Sequence, residues 1–209
     1  MEDKNVQALR EIQSMMAKSS RFISLSGLSG IAAGICAIIG AFVANRFVTN
    51  YYNILKTQGT ADLLGLRNQL ITTAMAIFVL ALITAFLFTF RKSQKDNIPI
   101  WGTTSLRLLW NTFLPIGIGA VLIAKLIMQN NYHLVAPACL LFYGLGLING
   151  SKYTLNEIKY LGYAQLLLGL LNLWLPNYGL HFWTLGFGVL HIVYGFVMWN
   201  KYERGAKSE

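Results

Sequence analysis

Charged residues divide this chain into long uncharged runs. Between Arg21 and Arg46 lie 24 residues without Lys, Arg, Asp or Glu, and between Arg67 and Arg91 lie 23. A run of 17 separates Arg107 from Lys125, and Lys125 can snorkel to lengthen it. Residues 126–151 form a run of 26, and residues 160–200 one of 41. A membrane-crossing helix needs about 20 largely apolar residues. The last run therefore holds two such segments, split at the turn signal Leu175-Pro176-Asn177-Tyr178-Gly179. Six spans are predicted, at about 22–46, 68–90, 107–128, 132–150, 156–175 and 178–200. Gln129-Asn130-Asn131 leaves room only for a tight hairpin between the third and fourth. The runs do not alternate strictly, so they read as helices rather than barrel strands.

The fold class expected is all-α: a polytopic membrane protein with a six-helix bundle of three helical hairpins. Three parts follow, a cytoplasmic amphipathic helix in 1–21, a transmembrane domain in 22–200 and a cytoplasmic tail in 201–209. In the first part, Asp3 stands at an N-cap position, and Val6, Leu9, Ile12 and Met16 recur at helical spacing among Lys4, Arg10, Glu11 and Lys18. Residues 3–19 read either as an interfacial helix on the inner leaflet or as a docking helix for a cytoplasmic protein partner. The first long run exceeds a signal-peptide core, so it is expected to be retained as a span. The segments 47–66 and 91–100 are expected as loops.

Composition agrees with this reading. Charged residues make up 12% of the 209 residues and hydrophobic ones 55%, with 19 glycines besides. Soluble domains carry about 25% charge, so a soluble globular domain, a disordered chain and a disulfide scaffold are excluded. Six spans place 13 of the 17 basic residues on the side of both termini and four, Arg46, Lys56, Arg67 and Lys125, on the other. Basic residues favour the cytoplasmic side. Both termini are therefore expected in the cytoplasm, with the chain in a bacterial inner membrane. The net charge of +9 is a topology signal and an attraction to the lipid bilayer, not a nucleic-acid footprint.

None of the eight acids lies in the middle of a span, and no H-E-x-x-H, phosphate loop or G-x-S-x-G elbow occurs. Ion-coupled transport and intramembrane metalloproteolysis are set aside, and no catalytic residue, metal set or cofactor is assigned. The polar residues that remain are the candidates. His191 lies near mid-span, where a polar side chain is costly. It reads as an interhelical hydrogen-bonding residue, toward Gln165, Asn172 or a backbone carbonyl, or as part of a ligand cavity or a pH-sensing group; Asn111 would extend a polar path. His133 and His181 form an outer-surface pair, read as interface residues or as ligands of a metal or haem iron. Cys36 and Cys139 read as packing thiols. Ser26, Gly30 and Gly34, and likewise Gly146 and Gly150, recur at four-residue intervals that let helices approach closely. They read as packing inside one bundle or as a homodimer seam through the first span.

A weak repeat is present. Tyr143-Gly144 followed by Asn149 and Lys152-Tyr153 ends the fourth span; Tyr194-Gly195 followed by Asn200 and Lys201-Tyr202 ends the sixth. The stretch from Leu166-Leu167-Leu168-Gly169 through Leu175-Pro176 to Gly186 and Tyr194-Gly195 resembles the hairpin pattern of the HdeD-like small membrane proteins, bacterial six-helix proteins linked to acid stress. The resemblance implies a six-helix fold and an envelope-stress role, and it carries no functional residue. Three functions stand as expectations: a non-enzymatic interaction or regulatory module acting through protein or lipid, a passive small-solute pore, or a haem- or metal-bearing membrane protein.

Overall fold

The computed structural model describes residues 26–96 and 100–204. The amphipathic segment 3–19 and residues 205–209 of the expected tail 201–209 lie outside the described residues, while 201–204 of that tail are helical. Among the described residues every regular element is a helix. α1 is Gly27–Gln58, α2 Leu63–Asp96, α3 Thr103–Met128, α4 Val135–Gly150 and α5 Glu157–Trp174. α6 is one continuous helix in four stretches: α-helical at Gly179–Trp183 and His191–Trp199, π-helical at Thr184–Leu190 and Asn200–Arg204. Five helices are long and apolar enough to cross a membrane; α5 is the exception. It has 18 residues and includes Glu157, Lys159, Gln165 and Asn172.

The segment 47–66, expected as a loop, is mostly helix. α1 runs on to Gln58 because nothing between Arg46 and Gln58 breaks it. Gly59, at φ 75°, ends it, and its N–H donates to Leu55 O. Such a left-handed cap suits glycine, which has no Cβ to clash. Asp62 starts α2, its Oδ1 accepting from Gly65 N–H at 2.9 Å. Likewise α2 continues through Arg91 and Lys92 to Asp96. Charge marks where a helix leaves lipid, not where it stops. At about 1.5 Å per residue, α1 and α2 are each about 50 Å long, well beyond the roughly 30 Å hydrocarbon core.

α6 sits centrally, with α1 on one side and α4 and α5 on the other. α2 packs on α1, and α3 on α4. The most extensive partner of α5 is α4, and that of α6 is α1, so the last two helices separate along much of their length. α2 is peripheral. Phe78, Val79, Leu82, Ile83, Phe86 and Leu87 all face outward, as on a lipid-facing helix.

Glycine sets the close crossings. A Cβ on Gly30 would lie 3.1 Å from Gly195 Cα, and one on Gly34 2.7 Å from Gly188 O. The Ser26–Gly30–Gly34 stripe is thus occupied by α6 of the same chain. Gly146 and Gly150 face α3 in the same way, toward Thr112.

At the end of the bundle holding the α1 N terminus, two carboxylates hold α6. Glu203 Oε1 accepts from Gly27 N–H at 2.6 Å and Ser26 Oγ–H at 3.1 Å, and pairs with Lys92 at 3.7 Å. Glu157 Oε1 accepts from Lys201 Nζ and from Tyr202 Oη.

Candidate functional site: an interior polar cluster and an outer apolar cavity

Gln165 and Asn172 are seven residues apart on α5, two turns, and so share a face. Both are fully buried. Gly186 and Gly179, also seven apart, lie opposite on α6, Gly186 against Gln165 and Gly179 beside Asn172. Gly186 falls inside the π-helical stretch, a widened turn of the kind often found at functional positions. Its carbonyl accepts two side-chain donors, Gln165 Nε2–H at 2.8 Å and His191 Nδ1–H at 2.9 Å. A side chain at 186 would collide with Gln165 Oε1 and with Leu140. Only glycine admits the amide this close to the helix backbone.

The carbonyl partner settles the His191 tautomer. A carbonyl can only accept, so Nδ1 carries the proton. In the neutral ring Nε2 is then an acceptor, and the Tyr143 hydroxyl donates to it at 2.8 Å. Phe187 packs against both rings, at 5.1 Å from Tyr143 and 6.0 Å from His191, and Trp183 packs on Phe187. His191 thereby ties α4 to α6, while Gln165 ties α5 to the same carbonyl. These bonds set the rotation and height of three helices relative to one another.

Of the residues expected to act together, Gln165 and His191 meet at Gly186. Asn172 does not join them; its Nδ2–H donates to Leu175 O at 3.0 Å and closes the end of its own helix. Gln165 Oε1, Asn172 Oδ1 and Tyr194 Oη are buried with no hydrogen-bond partner. Asn111 lies elsewhere, between α3 and α4, where Asn149 Nδ2–H donates to its carbonyl. His133 and His181 are both exposed; His181 packs edge-on against Tyr178. Among the described residues, no group of three or more His, Cys, Asp or Glu side chains comes together.

Tyr143 was not among the expected partners of His191, although the Tyr-Gly repeat marked it. In both copies the tyrosine packs against the Leu147–Ile158–Leu161 cluster. The following glycine meets a neighbouring backbone. A Cβ on Gly144 would lie 2.9 Å from Gly162 O, and one on Gly195 2.5 Å from Gly27 O. Adjacent helical residues point about 100° apart, so one dipeptide fills the core and seats a crossing at once.

The second feature is a cavity of about 580 Å³ walled by α1, α2, α3, α4 and α6. Its floor is the α1–α2 contact at Gly40, where a Cβ would lie 2.6 Å from Ile77 Cγ1. Above the floor, Ala41 and Ala44 leave the groove open, and Leu180 and Trp183 of α6 form its back. Tyr51, Arg67, Tyr132 and His133 stand at its mouth. Cys139, expected as a packing thiol, lines it and is a free thiol, as is Cys36. Compared with known protein families, curated proteins and solved structures, the chain matches none.

Proposed function

We propose that this chain is a six-span inner-membrane protein, with both termini cytoplasmic, that acts as a non-enzymatic module by binding an apolar ligand from the bilayer. The cavity carries this reading. Its volume of about 580 Å³ falls within the roughly 300–1,000 Å³ of small-molecule sites. Its walls are almost wholly apolar, and α2 and α3, which flank it, share no extensive packing surface. A ligand would enter sideways from lipid. The sixth span in this reading is α5, whose buried Gln165 and Asn172 turn inward toward α6.

The interior cluster supports the module reading over the pore reading. Gln165, His191 and Tyr143 are bonded to one another or to Gly186. None of them lines the cavity. A regulatory or envelope-stress role, of the kind HdeD-like proteins suggest, would be exerted through occupancy of the cavity and through a partner on the cytoplasmic face.

The test is native mass spectrometry of the detergent-purified chain. A co-purifying lipid is expected on the wild-type protein. Ala44→Phe, which projects a ring into the cavity, is expected to remove it with the helical circular dichroism unchanged. A bare wild-type chain would overturn the reading.

A further inference from the structure

The cavity is apolar in depth and cationic at the mouth, and the two ends are spaced like a lipid. Arg67 and Ile77 lie ten residues apart on α2, about 15 Å along the helix. Half of a roughly 30 Å hydrocarbon core is the same length. A small solute has no need of such a groove; an acyl chain of one leaflet does.

Among the described residues, Arg67 has no anionic partner, and no carboxylate lines the cavity. Asp62 is the only acid between Glu11 and Asp96. It is engaged as the cap of α2, its Oδ1 on Gly65 N–H. Glu157 and Glu203 are held by Lys201 and Lys92 at the opposite end. Arg67 is half-buried beside apolar walls, where an unpaired guanidinium is costly. Its fork of N–H donors matches a phosphate. Tyr51 and Tyr132 beside it are residues suited to the headgroup level.

We propose that the cavity holds one anionic phospholipid, with its phosphate on Arg67 and one acyl chain running down the groove to Gly40 and Ile77. The second chain stays in the bilayer, through the gap between α2 and α3. This rests on the binding reading above and names its ligand. An anionic headgroup is preferred to a zwitterionic one because, among the described residues, no carboxylate lines the cavity to receive an ammonium.

The experiment is native mass spectrometry of the full chain released from nanodiscs made of equal parts phosphatidylglycerol and phosphatidylcholine. The wild-type protein is expected to retain phosphatidylglycerol over phosphatidylcholine by about tenfold, a ratio equivalent to one well-formed charged contact. Arg67→Gln is expected to retain both equally, and Ala44→Phe to retain neither. Equal retention by the wild type, or an undiminished preference in Arg67→Gln, overturns the anionic assignment and leaves apolar binding standing. Retention of neither lipid by the wild type overturns both. Should Ala44→Phe not fold, a phosphatidylglycerol with a photoreactive acyl tail replaces it. Crosslinks are then expected at Ile77 or Cys139, and crosslinks confined to the outward residues Phe78 and Leu82 overturn the placement.

Discussion

Asn149 donates its side-chain N–H to the backbone carbonyl of Asn111 at 2.9 Å. Asn111 precedes Pro115 by four residues inside α3. Proline has no N–H to give to that carbonyl, so Asn149 of α4 supplies the missing donor from the neighbouring helix. In lipid an unsatisfied carbonyl is expensive, and proline is tolerated where a neighbour repairs the bond. Asn149→Ala is expected to destabilise the bundle by about 1–3 kcal/mol. In a Pro115→Ala background the carbonyl regains its own helical donor, and the same substitution should cost less. Reversible unfolding in mixed micelles, run as a double-mutant cycle, reads the difference. Equal costs in the two backgrounds would show that Asn149 does not serve Pro115.

The Tyr143–His191 bond sets a second expectation. Nitrogen-15 spectra of labelled histidine should show His191 as the neutral Nδ1–H tautomer, with Nε2 accepting a hydrogen bond. Tyr143→Phe removes the donor, should move the Nε2 signal, and should cost about 1–3 kcal/mol of stability. A spectrum of the Nε2–H tautomer would contradict the assigned network.

Glycine crossings predict opposite signs at two positions. Gly195→Ala places a methyl 2.5 Å from Gly27 O and 2.6 Å from Ile31 N. Backbone must move, and a loss of about 1–3 kcal/mol is expected. Gly117, inside α3, has open space where a Cβ would stand. Gly117→Ala should therefore be neutral or stabilise by up to about 1 kcal/mol, since alanine orders a helix at lower entropic cost. Thermal unfolding of the two variants side by side checks the contrast.

Glu203 binds the first amide of α1 and Lys92 near the end of α2. A negative charge at a helix N terminus is favourable, and capping contributes about 1 kcal/mol. Glu203→Gln keeps an acceptor and loses the charge; Glu203→Ala loses both. Hydrogen exchange of the Gly27–Gly30 amides is expected to quicken in the order wild type, Gln, Ala. Identical exchange in all three would remove the clamp.

Much of the architecture was legible from the chain alone. Long uncharged runs require helices, because backbone polar groups in an apolar medium must bond within their own segment. The placement of Ser26, Gly30 and Gly34, of Gly146 and Gly150, and of buried His191, Gln165 and Asn172 follows from periodicity and the cost of exposing polarity to lipid. Helix ends were less legible. Residues 47–58 are polar enough to read as loop, yet helix propagation needs only the absence of a breaker, and none occurs before Gly59.

What only the tertiary structure decided is which surfaces meet. Sequence spacing says that Gly30 and Gly34 seat a neighbour; packing decides that the neighbour is α6. Polarity says that His191 needs partners; the turn of α4 against a π-helical stretch of α6 decides that they are Tyr143 and Gly186 O. The cavity has no sequence signature at all, since Gly40, Ala44, Arg67 and Trp183 come from three helices and only their divergence leaves space. Covalent neighbours and helical period are local and readable along the chain. Contacts between distant segments depend on the shapes of both surfaces at once, and those exist only when the helices are packed.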